Sequence, residues 1–186
     1  SGDYVSVMTL HGSKGLEFTF VFLAENSSAF KYDSDSVMCS ADGRIGYILY
    51  DPQTVRRYKT FQQSMLAYEE KNDTRSEEMR LFYVGLTRAK QQLFINLKYN
   101  EKLITSVEAL YEKYVSNNGD ITGMVCSSDR FYDWIWLCLM KHADFREIAE
   151  YFNLISENDV VPESSEKLFE CEFCDKISDI GNTEEK

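Results

Sequence analysis

The chain has 186 residues, of which 44% are hydrophobic and 14% aromatic, which is enough apolar material for the core of one ordinary domain. Its formal net charge of −11 argues against an isolated nucleic-acid-binding domain, because such domains usually carry a basic surface that neutralises phosphates. No stretch reaches the roughly 20 apolar residues of a membrane helix, and no signal segment opens the chain. We therefore expect a soluble, globular, cytoplasmic protein.

The cysteines do not form the pattern of a secreted disulfide framework, because their number is odd and their spacing irregular. Cys171 and Cys174 form a lone Cys-x-x-Cys pair, which is half of a zinc site or a redox pair. A structural zinc needs about four ligands, and no second pair or histidine cluster accompanies this one. We expect no metal site.

The first elements along the chain indicate an α/β fold. Residues 5–10 (VSVMTL) have the pattern of a short buried strand, and a turn with two glycines follows at residues 11–15. Residues 18–24 (FTFVFLA) form a continuous apolar run, typical of a strand covered on both faces of a parallel or mixed sheet. The turn would then lie at the carboxyl end of a strand, where α/β folds usually bind ligands.

The next segment is predicted to leave the sheet and return through helices. Residues 25–41 are rich in Ser and Asp and predict a surface excursion, and residues 43–50 predict a short strand that ends at Asp51-Pro52. A helix is expected from Gln53 with a break near Asn72-Asp73. Residues 74–77 (TRSE) then have the form of a capping box that starts a second helix.

The rest of the chain is predicted to be mainly helical. Residues 93–97 (LFINL) predict a third buried strand, and helices are expected at residues 103–115, 129–141 and 144–152. Trp134 and Trp136 could form a base-stacking platform, but helix packing is the favoured role. The acidic composition after residue 161 predicts a linker or tail.

Two segments carry residues suited to phosphate chemistry: residues 9–18 (TLHGSKGLEF) and 77–90 (EEMRLFYVGLTRAK). The small residues near Gly15 let a backbone approach a phosphate closely, while His11 and Lys14 can bind phosphate oxygens without reading bases. Arg88 follows a helix and precedes a buried strand, where packing can hold a guanidinium against a phosphate. The alternative for Arg88 is an ion pair with Glu77, Glu78 or another acid.

The first segment resembles motif V, and the second motif VI, of the UvrD/PcrA/RecB branch of superfamily 1 helicases. The resemblance implies that His11 contacts the backbone of single-stranded DNA, with Thr9 and Lys14 in supporting roles. It also implies that Glu17, beside Gly15, contacts the nucleotide sugar of ATP, and that Arg88 is the arginine finger that reaches the γ-phosphate. We expect the loop and Arg88 to meet along the carboxyl edge of one sheet.

Three features resemble the AddA family of helicase–nuclease subunits more narrowly: the segment at residues 46–52 (GYILYDP), the form of motif VI, and residues 132–135 (YDWI). This resemblance implies a part of an ATP-dependent DNA helicase/exonuclease that acts in double-strand-break resection and recombinational repair. The implied partners are DNA and an AddB-like nuclease subunit in a heterodimer. ATP and Mg²⁺ would be the cofactors of the full-length protein.

The resemblance also implies a division of the chain into three parts. Residues 1–100 would be the C-terminal half of the second RecA-like domain, with a mainly parallel sheet flanked by helices. Residues 101–160 would form a helical extension, and residues 161–186 an acidic linker or tail. No Walker A phosphate loop occurs in the sequence, so we expect the chain alone to bind no cofactor and to be inactive. Unpaired sheet edges would favour self-association.

Two other functions stay open at this point. A UvrD-type repair helicase without a nuclease would share both motifs. A non-catalytic module that keeps the helicase fold and only docks a partner would fit the acidic composition, but disrupted motif residues would be expected of it.

Overall fold

The computed structural model describes residues 4–32, 35–98, 100–142, 144–154 and 170–171. Within these residues the chain forms two small sheets and five α-helices, preceded by a 3₁₀ turn at His11–Ser13. The elements in chain order are β1 (Phe18–Leu23), β2 (Val37–Cys39), β3 (Ile45–Asp51), β4 (Arg56–Lys59), α1 (Phe61–Leu86), β5 (Ala89–Ile95), α2 (Glu101–Ser116), α3 (Thr122–Ser127), α4 (Phe131–Met140) and α5 (Phe145–Tyr151). The predicted α/β class is confirmed.

Strands β1 and β5 pair in parallel, which confirms both strand predictions and the parallel orientation. Their predicted burial on both faces is wrong. Phe22 and Phe94 stack with ring centroids 4.3 Å apart, yet Phe22 is 72% exposed. The side chains of a strand alternate between two faces, and here helices cover only the face that carries Leu23.

The strand predicted at residues 5–10 does not form. Val5 and Val7 are almost fully exposed, and Leu10 leads directly into the 3₁₀ turn. A strand needs a neighbour for its backbone N–H and C=O groups, and none of the described strands lies beside this segment. The apolar pattern alone therefore does not decide the conformation.

Strands β2, β3 and β4 form an antiparallel sheet, of which only β3 was predicted. Strand β2 lies inside the predicted surface excursion, and β4 replaces the start of the helix expected from Gln53. The Asp51 carboxylate accepts hydrogen bonds from the Gln53 backbone N–H at 2.9 Å and from the Thr54 hydroxyl at 2.7 Å. These bonds close a turn, so the chain returns along β3 before a helix can start.

Helix α1 is continuous over 26 residues, so the predicted break at Asn72-Asp73 is wrong. The helix begins after Thr60, whose hydroxyl accepts a hydrogen bond from the Gln63 backbone N–H at 3.2 Å. Thr74, predicted as a cap, instead bonds the Glu70 carboxylate within the helix. A capping box describes only a possible start, and the preceding turn of helix satisfies the same backbone amides here.

The last three helical predictions are confirmed, and α3 was not predicted. Leu137, Met140 and Phe145 are completely or almost completely buried, and their cluster includes Leu23 of β1 and Phe82 of α1. Trp134 and Trp136 lie in this core, where the Trp134 indole N–H donates to the Val125 carbonyl at 3.0 Å. The helices therefore pack against the parallel strand pair and fix one side of it.

Helix α1 also carries the antiparallel sheet at its other end. A Cβ atom at Gly46 of β3 would lie 2.4 Å from Gln63 Cα and 2.5 Å from Gln63 N. The side chain of Gln63 is itself buried. Strand β3 and the first turn of α1 thus touch backbone to backbone, and only glycine fits at the contact.

Some predictions concern residues that the structure does not describe. The predicted tail at residues 161–186 lies outside the described residues except for 170–171, and Cys174 lies outside them as well. None of the helices in the described ranges combines the length and apolar character needed to cross a bilayer. Over the same ranges, no group of three or more His, Cys, Asp or Glu side chains is placed to hold a metal ion.

Candidate functional site

The loop that contains His11 is built around its own backbone. The Gly12 N–H donates to the Thr9 hydroxyl oxygen at 3.1 Å, and the buried Ser13 hydroxyl donates to the Leu10 carbonyl at 2.7 Å. Thr9 therefore closes the 3₁₀ turn, and its remaining hydroxyl hydrogen is directed by that bond. His11 is exposed beside this turn.

The two glycines of the loop have different roles. Gly15 adopts φ +82°, in the left-handed region that favours glycine, although no atom lies within 4 Å of the position of a Cβ. Gly12 has an ordinary φ and only a van der Waals neighbour, the Thr9 hydroxyl oxygen at 3.4 Å. Conformation therefore requires glycine at position 15, and the space around Gly15 stays open to a ligand.

Gly85 joins this loop to α1. A Cβ atom at Gly85 would lie 2.7 Å from Cδ2 of Leu10 and 3.4 Å from Cδ2 of Leu23. The helix backbone thus approaches the residue immediately before His11 as closely as a side-chain-free position allows. The two sequence motifs are in direct contact.

Arg88 makes the second connection between the motifs. Its guanidinium donates from Nε to the Val84 carbonyl at 2.8 Å, from Nη1 to the Leu16 carbonyl at 3.0 Å and from Nη2 to the Thr87 hydroxyl at 2.9 Å. The Phe18 N–H in turn donates to the Arg88 carbonyl at 3.0 Å. Three of the five guanidinium N–H groups are thereby used, which leaves two N–H groups and the positive charge for a ligand.

The predicted ion pair between Arg88 and a carboxylate does not form among the described residues. Glu77 instead pairs with Arg80 at 2.7 Å on the exposed side of α1. Glu78 is half-buried, and burial raises its pKa, while the nearby His11 lowers it. Glu78 is a neighbour of the loop that the sequence reasoning did not assign to the site.

Glu17 is held by Lys90, to which the sequence analysis gave no role. The Lys90 Nζ lies 2.9 Å from the Glu17 carboxylate. The hydrogen bond and charge of Lys90 lower the pKa of Glu17, and Arg88 adds a smaller effect in the same direction. Both side chains are about 60% exposed, so water screens the pair, but Glu17 stays ionised above its lowered pKa. Residues 17 and 90 lie at the starts of paired strands, which is the pattern that could have revealed this contact.

The location of this site differs from the prediction in one respect. The loop enters β1 and Arg88 immediately precedes β5, so both lie at the amino ends of the parallel strands, not at their carboxyl edge. The prediction depended on a strand at residues 5–10, which would have placed the loop after a strand. His11, Lys14, Gly15 and Glu17 are exposed, and Arg88 is half-buried behind them.

These features define a class of protein. Residues 1–100 match the model of the UvrD-like helicase C-terminal domain, and the chain belongs to that family. A RecA-like helicase fold fits the observed mixture of a parallel strand pair, antiparallel strands and helices.

The similarity to particular proteins is narrower, and all three relatives described next are ATP-dependent helicase/nuclease proteins of the AddA type. The chain is 36% identical over 154 residues to the AddA protein of Ligilactobacillus salivarius, which covers 81% of this chain and 12% of the relative. It is 33% identical to the protein of the same name from Limosilactobacillus fermentum, with the same two shares, 81% and 12%. The protein of that name from Lacticaseibacillus casei is also 33% identical, over 80% of this chain and 13% of its own length. This chain therefore spans about an eighth of these relatives.

Proposed function

We propose that this chain is part of the second RecA-like lobe of an ATP-dependent DNA helicase/nuclease. The relatives carry the name of such an enzyme, and their similarity extends over about 80% of the chain, beyond the 100 residues that match the helicase domain. Residues 1–100 are then the end of the lobe, 101–160 a helical extension and 161–186 a linker or tail. The extension of the similarity into the helices favours a helicase–nuclease over a UvrD-type repair helicase.

Arg88 is the arginine finger of this proposal. The observation that carries the proposal is the anchoring of its guanidinium to the Leu16 carbonyl, which ties motif VI to the loop of motif V. An arginine finger needs a fixed guanidinium with donors left for phosphate oxygens, and Arg88 has both. A module that only docks a partner would not need to keep this arrangement.

Glu17 and Gly15 contribute to the nucleotide side of the site. ATP would supply the phosphoryl group whose hydrolysis drives the motor, with Mg²⁺ and the phosphate loop bound by the other lobe. The Glu17 carboxylate, held by Lys90, accepts hydrogen bonds from a sugar hydroxyl, and the left-handed turn at Gly15 leaves the approach open. The cleft between two lobes is therefore where ATP is bound.

His11, Lys14 and Thr9 form the DNA side of the same loop. His11 and Lys14 are exposed next to a rigid 3₁₀ turn that Thr9 closes, so they can donate to backbone phosphates without reading bases. Contacts that do not depend on sequence are what a translocating motor requires. In the cell the protein would act in double-strand-break resection and recombinational repair, together with an AddB-like partner.

The test is the Arg88→Ala variant of the longer protein that contains this segment. Loss of an arginine finger reduces turnover by about 10³ to 10⁵. We expect the rate of DNA-stimulated ATP hydrolysis to fall by at least 10³-fold, with Arg88→Lys giving only partial recovery, because lysine cannot reproduce the planar fork.

Arg80→Ala is the matched control, because Arg80 lies on the same helix in an exposed pair with Glu77. This variant should retain its ATPase rate within about twofold, since exposed pairs contribute little. Normal ATPase activity in the Arg88→Ala variant, with the protein folded, would remove the arginine-finger assignment.

A further inference from the structure

The hairpin formed by β3 and β4 presents cations and an aromatic ring on one face. Tyr50 lies opposite Arg57, and Ile48 lies opposite Lys59, so these four side chains project to the same side of the sheet. Tyr50 is 57% exposed, and all of β4 is exposed. None of these residues belongs to the two helicase motifs.

This face is concave. The Tyr50 ring and the Arg57 side chain line an open cavity of about 540 Å³, together with Ser36, Ile48 and Val55. Such a cavity has the size of a small-ligand site, and its floor is apolar while its wall is cationic. It can accept a flat ring and an attached anion.

The cations of β4 are not neutralised within the part of the chain that the structure describes. Arg56, Arg57 and Lys59 make no ion pair there, whereas Arg44 of the same sheet binds Glu69 through two hydrogen bonds and also pairs with Asp42. The chain as a whole has a formal net charge of −11. Three adjacent unpaired cations in so acidic a chain indicate an anionic ligand.

The hairpin is also held in one shape. The Asp51 carboxylate binds the turn, and Val55 adopts φ +53°, which is rare for a β-branched residue. Gly46 packs against the backbone of α1, which ties the sheet to the helix. The Tyr50 and Arg57 side chains therefore extend from a rigid support, so little entropy is lost when a ligand binds.

We infer that this face of the hairpin is a second contact for single-stranded DNA, with a phosphate at Arg57 and Lys59 and a base stacked on Tyr50. Aromatic rings between cations are the arrangement that binds single strands without sequence preference, because every base has a face that can stack. An acidic polypeptide would be attracted by the cations but has no use for the exposed ring. A duplex hides the faces of its bases.

The inference rests on the proposed function and extends it. Residue 63 of α1 contacts the hairpin sheet and residue 85 contacts the motif V loop. The helical rise places these points about 33 Å apart. A strand bound at the loop and at the hairpin would therefore follow the length of α1 over several nucleotides.

The test is nuclear magnetic resonance of the 186-residue chain titrated with the single-stranded oligonucleotide dT10. We expect the backbone amides of residues 50 and 55–59 to shift. Arg57→Ala should weaken the apparent affinity measured at these amides about tenfold and lower its salt slope by about 0.7, the value for one phosphate contact on a single strand. Tyr50→Leu should also weaken it about tenfold.

The matched controls are Arg56→Ala and Tyr47→Leu, because both residues project to the opposite face of the same hairpin. They should change the affinity less than twofold. Equal losses in the Arg56→Ala and Arg57→Ala variants would overturn the inference, because they would show a dependence on net charge alone.

Three further outcomes would also overturn the inference. The first is the absence of shifts at the hairpin, the second is equal shifts with a polyglutamate peptide, and the third is tighter binding of a ten-base-pair duplex. Amides 11–15 report on the motif V loop in the same spectra. Shifts there without shifts at the hairpin would refute this inference and leave the proposed function intact, whereas a normal ATPase rate in Arg88→Ala would do the reverse.

Discussion

Gly46→Ala should destabilise the protein, because the new methyl group meets backbone and not a movable side chain. The added Cβ would lie 2.4 Å from Gln63 Cα and 2.9 Å from Gln62 C. Carbon atoms pack at about 3.5 to 4.0 Å, so β3 and the start of α1 must separate by about 1 Å. Overpacking of this kind costs about 1 to 3 kcal/mol, while alanine in a strand recovers only about 0.5 to 1 kcal/mol.

The expected net loss is about 1 to 2 kcal/mol, which corresponds to a decrease of about 2 to 8 °C in Tm for a chain of this size. Thermal and urea unfolding followed by circular dichroism would measure it. Gly123→Ala is the matched control, because no atom lies within 4 Å of a Cβ at Gly123 in α3, and the protein should become no less stable. A Gly46→Ala protein as stable as the parent would refute the backbone contact between β3 and α1.

Two predictions concern how α1 is held. Thr60→Ala removes the cap that accepts from the Gln63 N–H and should cost about 1 kcal/mol in urea unfolding, whereas Thr74→Ala should cost clearly less; the reverse order would restore the predicted helix start at Thr74. Asp129 binds Arg75 of α1 at 2.6 Å, and although burial raises the pKa of Asp129, its hydrogen-bond partners lower it further, so the net shift is downward. Its contribution to stability should be complete above the unfolded pKa of about 3.9 and disappear as pH falls through the lower folded value. Asp129→Asn should remove that part of the acid dependence, and an unchanged acid profile would contradict the assignment.

The residues of the candidate site could be predicted from the sequence because their spacing and chemical type are local properties. The segment around His11 and Gly15 has the small residues and donors of a phosphate-binding turn, and Arg88 sits between a helix and a strand in both the sequence pattern and the structure. What Arg88 binds is not a local property. Its contact with Leu16 joins residues 72 positions apart, and only packing of β1 beside β5 creates it.

The sequence by itself determined the α/β class, strands β1, β3 and β5, and most of the helices, because apolar runs and periodicities are written in neighbouring residues. Tertiary structure alone decided whether residues 5–10 form a strand, since a strand requires a partner that no local pattern supplies. It also decided the unbroken course of α1, which is held at Thr60, at Arg75 and at Gly85 by groups distant in the chain. The hairpin face of β3 and β4 has the same origin, because residues on two strands share a surface only after the turn at Asp51 has brought the strands into register.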